Sequence, residues 1–124
     1  MKITIKTKNI ELTDYLKDFT EKKFFALKKF INIFKKEEEK NTLAEVLVEL
    51  EKETRHHRKG DIFLTKCRIH LPGRVLVACA RADDLLKSVV AAKDEMKLEI
   101  GRYKFKKTSQ RRREQRKMKH DGSI

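Results

Sequence analysis

The chain has a single proline, and it stands in Leu71-Pro72-Gly73-Arg74 between two runs that alternate apolar and polar residues. Proline presets the backbone angle of a turn and glycine accepts a positive φ, so the tetrapeptide is a tight-turn signal. The run before it, Asp61 to Leu71, puts Phe63, Thr65, Cys67, Ile69 and Leu71 on one face, and Val75 to Ala82 continues as the next strand. The two form a hairpin. With a two-residue loop, Cys67 faces Ala78 and Cys79 faces Lys66 on the opposite side of the sheet, which forbids a disulfide; a bulge at the glycine would shift the pairing by one.

The remaining pattern supplies elements to pack on this hairpin. Residues 2 to 7 alternate, with Ile3 and Ile5 on one side and Lys2, Thr4 and Lys6 on the other, as a half-buried strand does. Thr13 and Asp14 give an N-cap signal for a helix extending to about Phe34, whose face carries Leu16, Phe19, Leu27, Phe30, Ile31 and Phe34. Lys35 to Thr42 is a charged connector. After it, Ala44, Val46, Val48 and Leu50 alternate with Glu45, Leu47, Glu49 and Glu51, a strand with an acidic outer face. Lys52 to Gly60, with His56, His57, Arg58 and Lys59, reads as an exposed basic loop. Asp83-Asp84 can cap a second helix with the stripe Leu85, Val89, Ala92, Met96, Ile100 and Tyr103. The predicted fold class is α+β, in the order β-α-β-β-β-α: a four-stranded sheet with two helices packed on one face.

At 124 residues, 41% of them charged, the chain has room for one domain with a small core. The expected division is a domain over 1–107 and a disordered basic tail over 108–124. Lysines and arginines outnumber acids 32 to 19, and ten of them lie between Arg102 and His120 against the single acid Glu114. The run Arg111-Arg112-Arg113-Glu114-Gln115-Arg116-Lys117 is the electrostatic footprint of a protein that works against a polyanion, most often nucleic acid. No stretch approaches the ~20 apolar residues of a membrane helix, and the alternating start does not form a signal-peptide core, so the expected location is cytoplasmic with no membrane partner. Two cysteines outside any Cys-x-x-Cys pair read as inert thiols in a reducing compartment.

Several chemistries find no support in the spacing. His56, His57 and His70 have neither the His-x-x-x-His nor the Cys-x-x-Cys neighbours that close a tetrahedral site, so no metal and no other cofactor is expected. Ser88 is the only serine before the tail and lacks a Gly-x-Ser-x-Gly elbow, while glycines 60, 73, 101 and 122 are too scattered to cradle a nucleotide. An enzyme is therefore not expected. Basic residues on the helices are more informative. Lys23 projects into the middle of the first helix's apolar stripe, between Leu16, Phe19, Leu27 and Phe30, either snorkelling to water or offering its ammonium to a ligand. Lys93, Lys97 and Lys104 share a flank of the second helix beside Leu86 and Val90. If the helices lie side by side, Lys23 and this flank meet near a groove suited to phosphate contacts, although such runs are also ordinary solvated faces. Phe25 lies opposite the stripe and no strand carries an aromatic pair, which favours backbone and shape recognition of structured RNA.

Ile3-Thr4-Ile5, Ile10-Glu11-Leu12-Thr13, Leu16, Glu21, Lys23, Leu27, Lys59-Gly60-Asp61-Ile62-Phe63, His70-Leu71-Pro72-Gly73 and Ala82-Asp83-Asp84-Leu85 form an ordered set over roughly residues 1 to 105. This set resembles the ribosome hibernation promoting factor family, also called ribosome-associated inhibitor A, in its short single-domain form. The resemblance implies a protein that binds small-subunit ribosomal RNA in the decoding region and occupies the mRNA and tRNA sites. It implies inhibition of translation in idle ribosomes without turnover. The implied partners are the small subunit and the whole ribosome, with a monomer off the ribosome. Lys23, Lys28 and Lys29 of the first helix, Arg81 before the second, and Lys93, Lys97, Arg102 and Lys104 along it are the expected ribosomal RNA contacts. Arg111, Arg112, Arg113, Arg116 and Lys117 add tail contacts. Glu95 and Leu98 depart from the family, which commonly has lysine and arginine there, and Lys93 or Lys97 substitutes for them. The alternative is a general double-stranded RNA-binding or RNA-chaperone module acting through the tail. A DNA-compacting protein is disfavoured, because no helix-turn-helix, zinc finger or β-ribbon is visible.

Overall fold

A computed structural model describes residues 1–32, 44–53, 60–71 and 73–121, with the side chains of residue 32 and of 105–121 excepted. The elements are β1 (Lys2–Lys8), α1 (Asp14–Phe25), α2 (Lys28–Asn32), β2 (Glu45–Glu53), β3 (Ile62–Leu71), β4 (Arg74–Ala82) and α3 (Leu85–Asp121). The sheet order is β1-β2-β3-β4, with β1 parallel to β2 and both other pairs antiparallel. This is the expected α+β arrangement, with the first helix divided in two.

Register places the apolar set on one face. Ile3, Val46, Ile69 and Leu76 form one row across the four strands, and Ile5, Val48, Cys67 and Ala78 form the next. Except for the half-buried Ile3 and Ile5, these residues are buried, in one core with Phe24, Leu27 and Ile31 of the first helical segment and Val89, Ala92, Met96 and Ile100 of α3. α1 lies against β1, α3 against β3 and β4, and both α1 and α2 touch α3. Among the described residues no helix lies on the other sheet face.

Leu71 pairs with Arg74, so the hairpin has the expected two-residue connection, with Cys67 opposite Ala78 and Lys66 opposite Cys79. Gly73 adopts a φ of +77°, an angle glycine reaches without the Cβ clash other residues meet. Pro72 lies outside the described residues. Both cysteines are free; Cys67 is buried, and loss of hydration there pushes its thiol up to about 12. Such a thiol stays protonated and unreactive at neutral pH.

The predicted caps form. Thr13 Oγ1 accepts from the Leu16 N–H at 3.1 Å, and Asp84 Oδ1 accepts from the Lys87 N–H at 3.1 Å. Ser88, fully buried, has a structural place: its hydroxyl reaches the Leu85 carbonyl at 2.7 Å and the Thr65 hydroxyl at 2.8 Å, tying α3 to β3.

Two expectations change. The first helix breaks at Ala26 and Leu27, where the Leu27 N–H donates to Phe24 and the Phe30 N–H to Leu27, both i to i−3 bonds that tighten the turn. Its buried stripe is Leu16, Thr20, Phe24, Leu27 and Ile31, with Phe19 and Phe30 only half-buried. At ~100° per residue the stripe is turned toward Thr20 and Phe24, which leaves Lys23 on its flank instead of in its middle. Phe34 and the connector lie outside the described residues, as do His56, His57, Arg58 and Lys59 of the basic loop. The backbone of α3 stays helical through Asp121, past residue 108 where the basic tail begins. From Arg102 to Asp121 there is neither glycine nor proline, and the composition is dominated by strong helix formers.

Candidate nucleic-acid interface

The groove between the helices collects positive charge through one aromatic ring. Phe30 of α2 is half-buried beside α3, and the ammonium groups of Lys29 and Lys97 each lie 5.1 Å from its ring centroid. One turn back on α1, the Lys23 ammonium lies 5.4 Å from the Phe19 ring, with Tyr15 stacked beyond Phe19 at 6.3 Å. Lys28 is held in the same way, 5.3 Å over the exposed Phe25. The lysine stems cover apolar surface while their heads remain in water. Lys23 therefore snorkels and remains available to a ligand.

Ring contact and ion pairing have different consequences for a charged partner. An ammonium over an aromatic face is attracted by the ring quadrupole but keeps its charge and its three donors. Among the described residues no carboxylate lies within ion-pair distance of Lys23, Lys29 or Lys97. The other expected contacts are differently placed. Lys93 reaches Asp94 at 2.6 Å, and Arg102 bonds to Glu99 one turn before it. Arg81 lies on the open sheet face, in the row of Lys8, Glu51 and Leu64, and its Nε donates to Glu53 at 3.3 Å. Lys104 is exposed near the end of the described α3 side chains, and the side chains of Arg111, Arg112, Arg113, Arg116 and Lys117 lie outside them. The structure thus brings Lys29 and Lys97 together, sets Lys23 and Lys28 beside them along the first helical segments, and separates Arg81 from the groove.

Arg74 joins this side unexpectedly. Strand parity puts it on the same face as Leu76 and Ala78, so its stem turns toward α3 and its guanidinium lies 5.7 Å from the Tyr103 ring centroid. Counting back two residues from Leu76 was enough to find it in the sequence. The opposite sheet face carries mixed charge: Glu51 pairs with Lys8 at 3.6 Å across β1 and β2, and Glu53 holds Arg81. Among the described residues no group of three or more histidine, cysteine, aspartate or glutamate side chains is placed to hold a metal ion. No described helix is long and apolar enough to cross a membrane.

Comparison with known proteins places this geometry in a family. The profile of a family described as sigma 54 modulation protein / S30EA ribosomal protein matches residues 3–108. A ribosomal subunit interface protein from Coxiella burnetii superposes with a TM-score of 0.62 at 17% identity, covering 84% of this chain and 98% of its own. The N-terminal domain of Protein Y from Thermus thermophilus superposes with a TM-score of 0.63 at 20% identity, covering 83% of this chain and 99% of its own. No curated protein sequence gives a significant match. The two structures share the fold, and the profile spans both the sheet and the helix pair that carries the ring-held lysines. The chain belongs to the sigma 54 modulation protein / S30EA ribosomal protein family, the hibernation promoting factor family that its sequence resembles.

Proposed function

We propose that this protein is a ribosome-binding hibernation factor that acts by occupancy and not by catalysis. The observation that carries the reading is the pair of ammonium groups of Lys29 and Lys97, fixed on Phe30 with no carboxylate of the described residues within ion-pair distance, in a member of this family. Two structures of the same fold are a ribosomal subunit interface protein and a domain of Protein Y, which supports a ribosomal partner. The partner surface is ribosomal RNA of the small subunit in the decoding region, where a bound domain excludes mRNA and tRNA. Lys23, Lys28, Lys29 and Lys97 contact phosphates directly. Lys93 and Arg102 exchange their carboxylates for phosphates on binding, and Lys104 extends the contact along α3. Arg81 contributes least, because Glu53 holds it on the other face.

Residues 108–124 act as an electrostatic arm through Arg111, Arg112, Arg113, Arg116 and Lys117. Like charges four residues apart, as in Arg112 with Arg116, repel along a helix, so the arm is expected to lose helicity off the RNA and gain it on binding. The protein works in the cytoplasm as a monomer until it meets a ribosome.

The test is co-sedimentation with purified small subunits at moderate salt, combined with cell-free translation. The expected outcome is saturation near one copy per subunit and a fall in translation that follows occupancy. A chain ending at Lys107 is expected to keep the stoichiometry with lower affinity and a shallower salt dependence. Equal affinity for arbitrary duplex RNA, without a plateau on subunits, would favour the general RNA-binding module instead.

A further inference from the structure

A cavity of about 790 Å³ opens beside the carboxyl half of the described α3, lined by Arg74, Lys97, Leu98, Gly101, Arg102 and Tyr103 together with Asp94 and Glu99. Its size is that of small-ligand sites generally. Three features suit it to one kind of occupant.

The first is Gly101. A glycine inside a helix destabilises it relative to alanine. Here its backbone angle is not one that only glycine adopts, and a Cβ built on it would meet nothing within 4 Å. Neither conformation nor packing within the molecule calls for the missing side chain. The open space at Gly101 leaves room for an external group to approach the helix backbone closely.

The second is the floor. Leu98, three residues before Gly101 and so on the same side of the helix, is 53% exposed. Together with the bare backbone at Gly101 it makes an apolar strip in the cavity lining.

The third is the rim. The Arg74 guanidinium lies 5.7 Å from the Tyr103 ring centroid, and the Lys97 ammonium is shared with the Phe30 groove. The two carboxylates are compensated, Glu99 by Arg102 and Asp94 by Lys93. An apolar strip edged by cations, one of them a planar guanidinium, complements an unpaired nucleobase between two phosphates.

We infer that this cavity receives an unpaired base of the RNA, stacked over Leu98 and Gly101 and against Arg74, with its flanking phosphates on Lys97 and Arg102. The inference rests on the RNA-binding reading and adds a stacked base to an interface otherwise built from phosphate contacts.

The test uses the full chain and purified small subunits, with Gly101→Ala as the main variant. Gly101→Ala is expected to melt at or above the wild-type temperature, since the added methyl group meets only open space. It is expected to bind small subunits roughly fivefold to tenfold more weakly, near the low end of the loss of a base–aromatic stack because the floor here is aliphatic. Chemical probing of ribosomal RNA at saturating protein is expected to reveal a base shielded by the wild type and reactive again in Gly101→Ala and in Leu98→Ser. Wild-type affinity and wild-type protections in both variants would overturn the inference. So would weaker binding with no change at any base, which would assign the cavity to a ribosomal protein. Failure of the wild type to bind small subunits would overturn the proposed function itself, and this inference with it.

Discussion

The two faces of this molecule hold several of their cations in different ways, with the ion-paired Lys93 and Arg102 of α3 as exceptions on the helix side. On the helix side Lys23, Lys28, Lys29, Lys97 and Arg74 rest over aromatic rings, whereas on the open sheet face Lys8 and Arg81 rest against Glu51 and Glu53. The energies are alike, ~0.5–1 kcal/mol for an exposed cation over a ring and ~0–1 kcal/mol for a surface ion pair. The fields they leave differ. An ion pair is close to neutral at the distance of a phosphate, but a ring-held ammonium presents its whole charge at a fixed position. Net charge therefore says less about where RNA binds than the identity of each cation's partner.

Reversing the charge at the groove should expose this contrast most strongly. Lys29→Glu with Lys97→Glu is expected to weaken small-subunit binding on the order of 100-fold at moderate salt and to flatten the plot of log affinity against log salt. Circular dichroism should show a folded chain, because both side chains are exposed. A loss equal to that from two reversals on the sheet face would break the comparison.

A finer test keeps the charges and removes the ring. Phe30→Leu leaves an apolar side chain beside α3 but no quadrupole for the two ammonium groups, so affinity should drop about twofold to fivefold, the equivalent of ~0.5–1 kcal/mol. Titration of small subunits with the variant measures it, and unchanged affinity would mean that the ring only packs.

The smallest effect belongs to the sheet face. Lys8→Gln with Arg81→Gln is expected to change small-subunit affinity by less than about twofold, since both cations are already answered by carboxylates. A loss comparable to that at the groove would return Arg81 to the interface.

Much of this arrangement was legible before folding. The turn at Gly73, the pairing of Cys67 with Ala78, the caps at Thr13 and Asp84 and the α3 stripe all follow from period and turn chemistry, which are local properties of sequence. The first helix was harder because Thr20 does not look apolar, yet it is buried and turns the stripe toward Phe24. The break at Leu27 depends on tertiary packing that draws Leu27 and Ile31 into the core, and no proline or glycine marks it. The candidate site divides in the same way. The Lys97 flank was readable from helical geometry, Lys23 was expected in the middle of a stripe it only borders, and the meeting of Lys29 and Lys97 on Phe30 depends on how α2 crosses α3. The side of the sheet that Arg81 occupies follows from register parity, which assigns it to the row of Leu64 and away from the groove.

The proposed binding mode docks the helix face, with its ring-held lysines, on small-subunit ribosomal RNA in the decoding region. Chemical footprinting of small subunits saturated with the full chain tests it most directly. The account predicts protections clustered in the decoding region that disappear in Lys29→Glu with Lys97→Glu and persist in Lys8→Gln with Arg81→Gln. Protections scattered over the subunit, or equally affected by the two double variants, would contradict it.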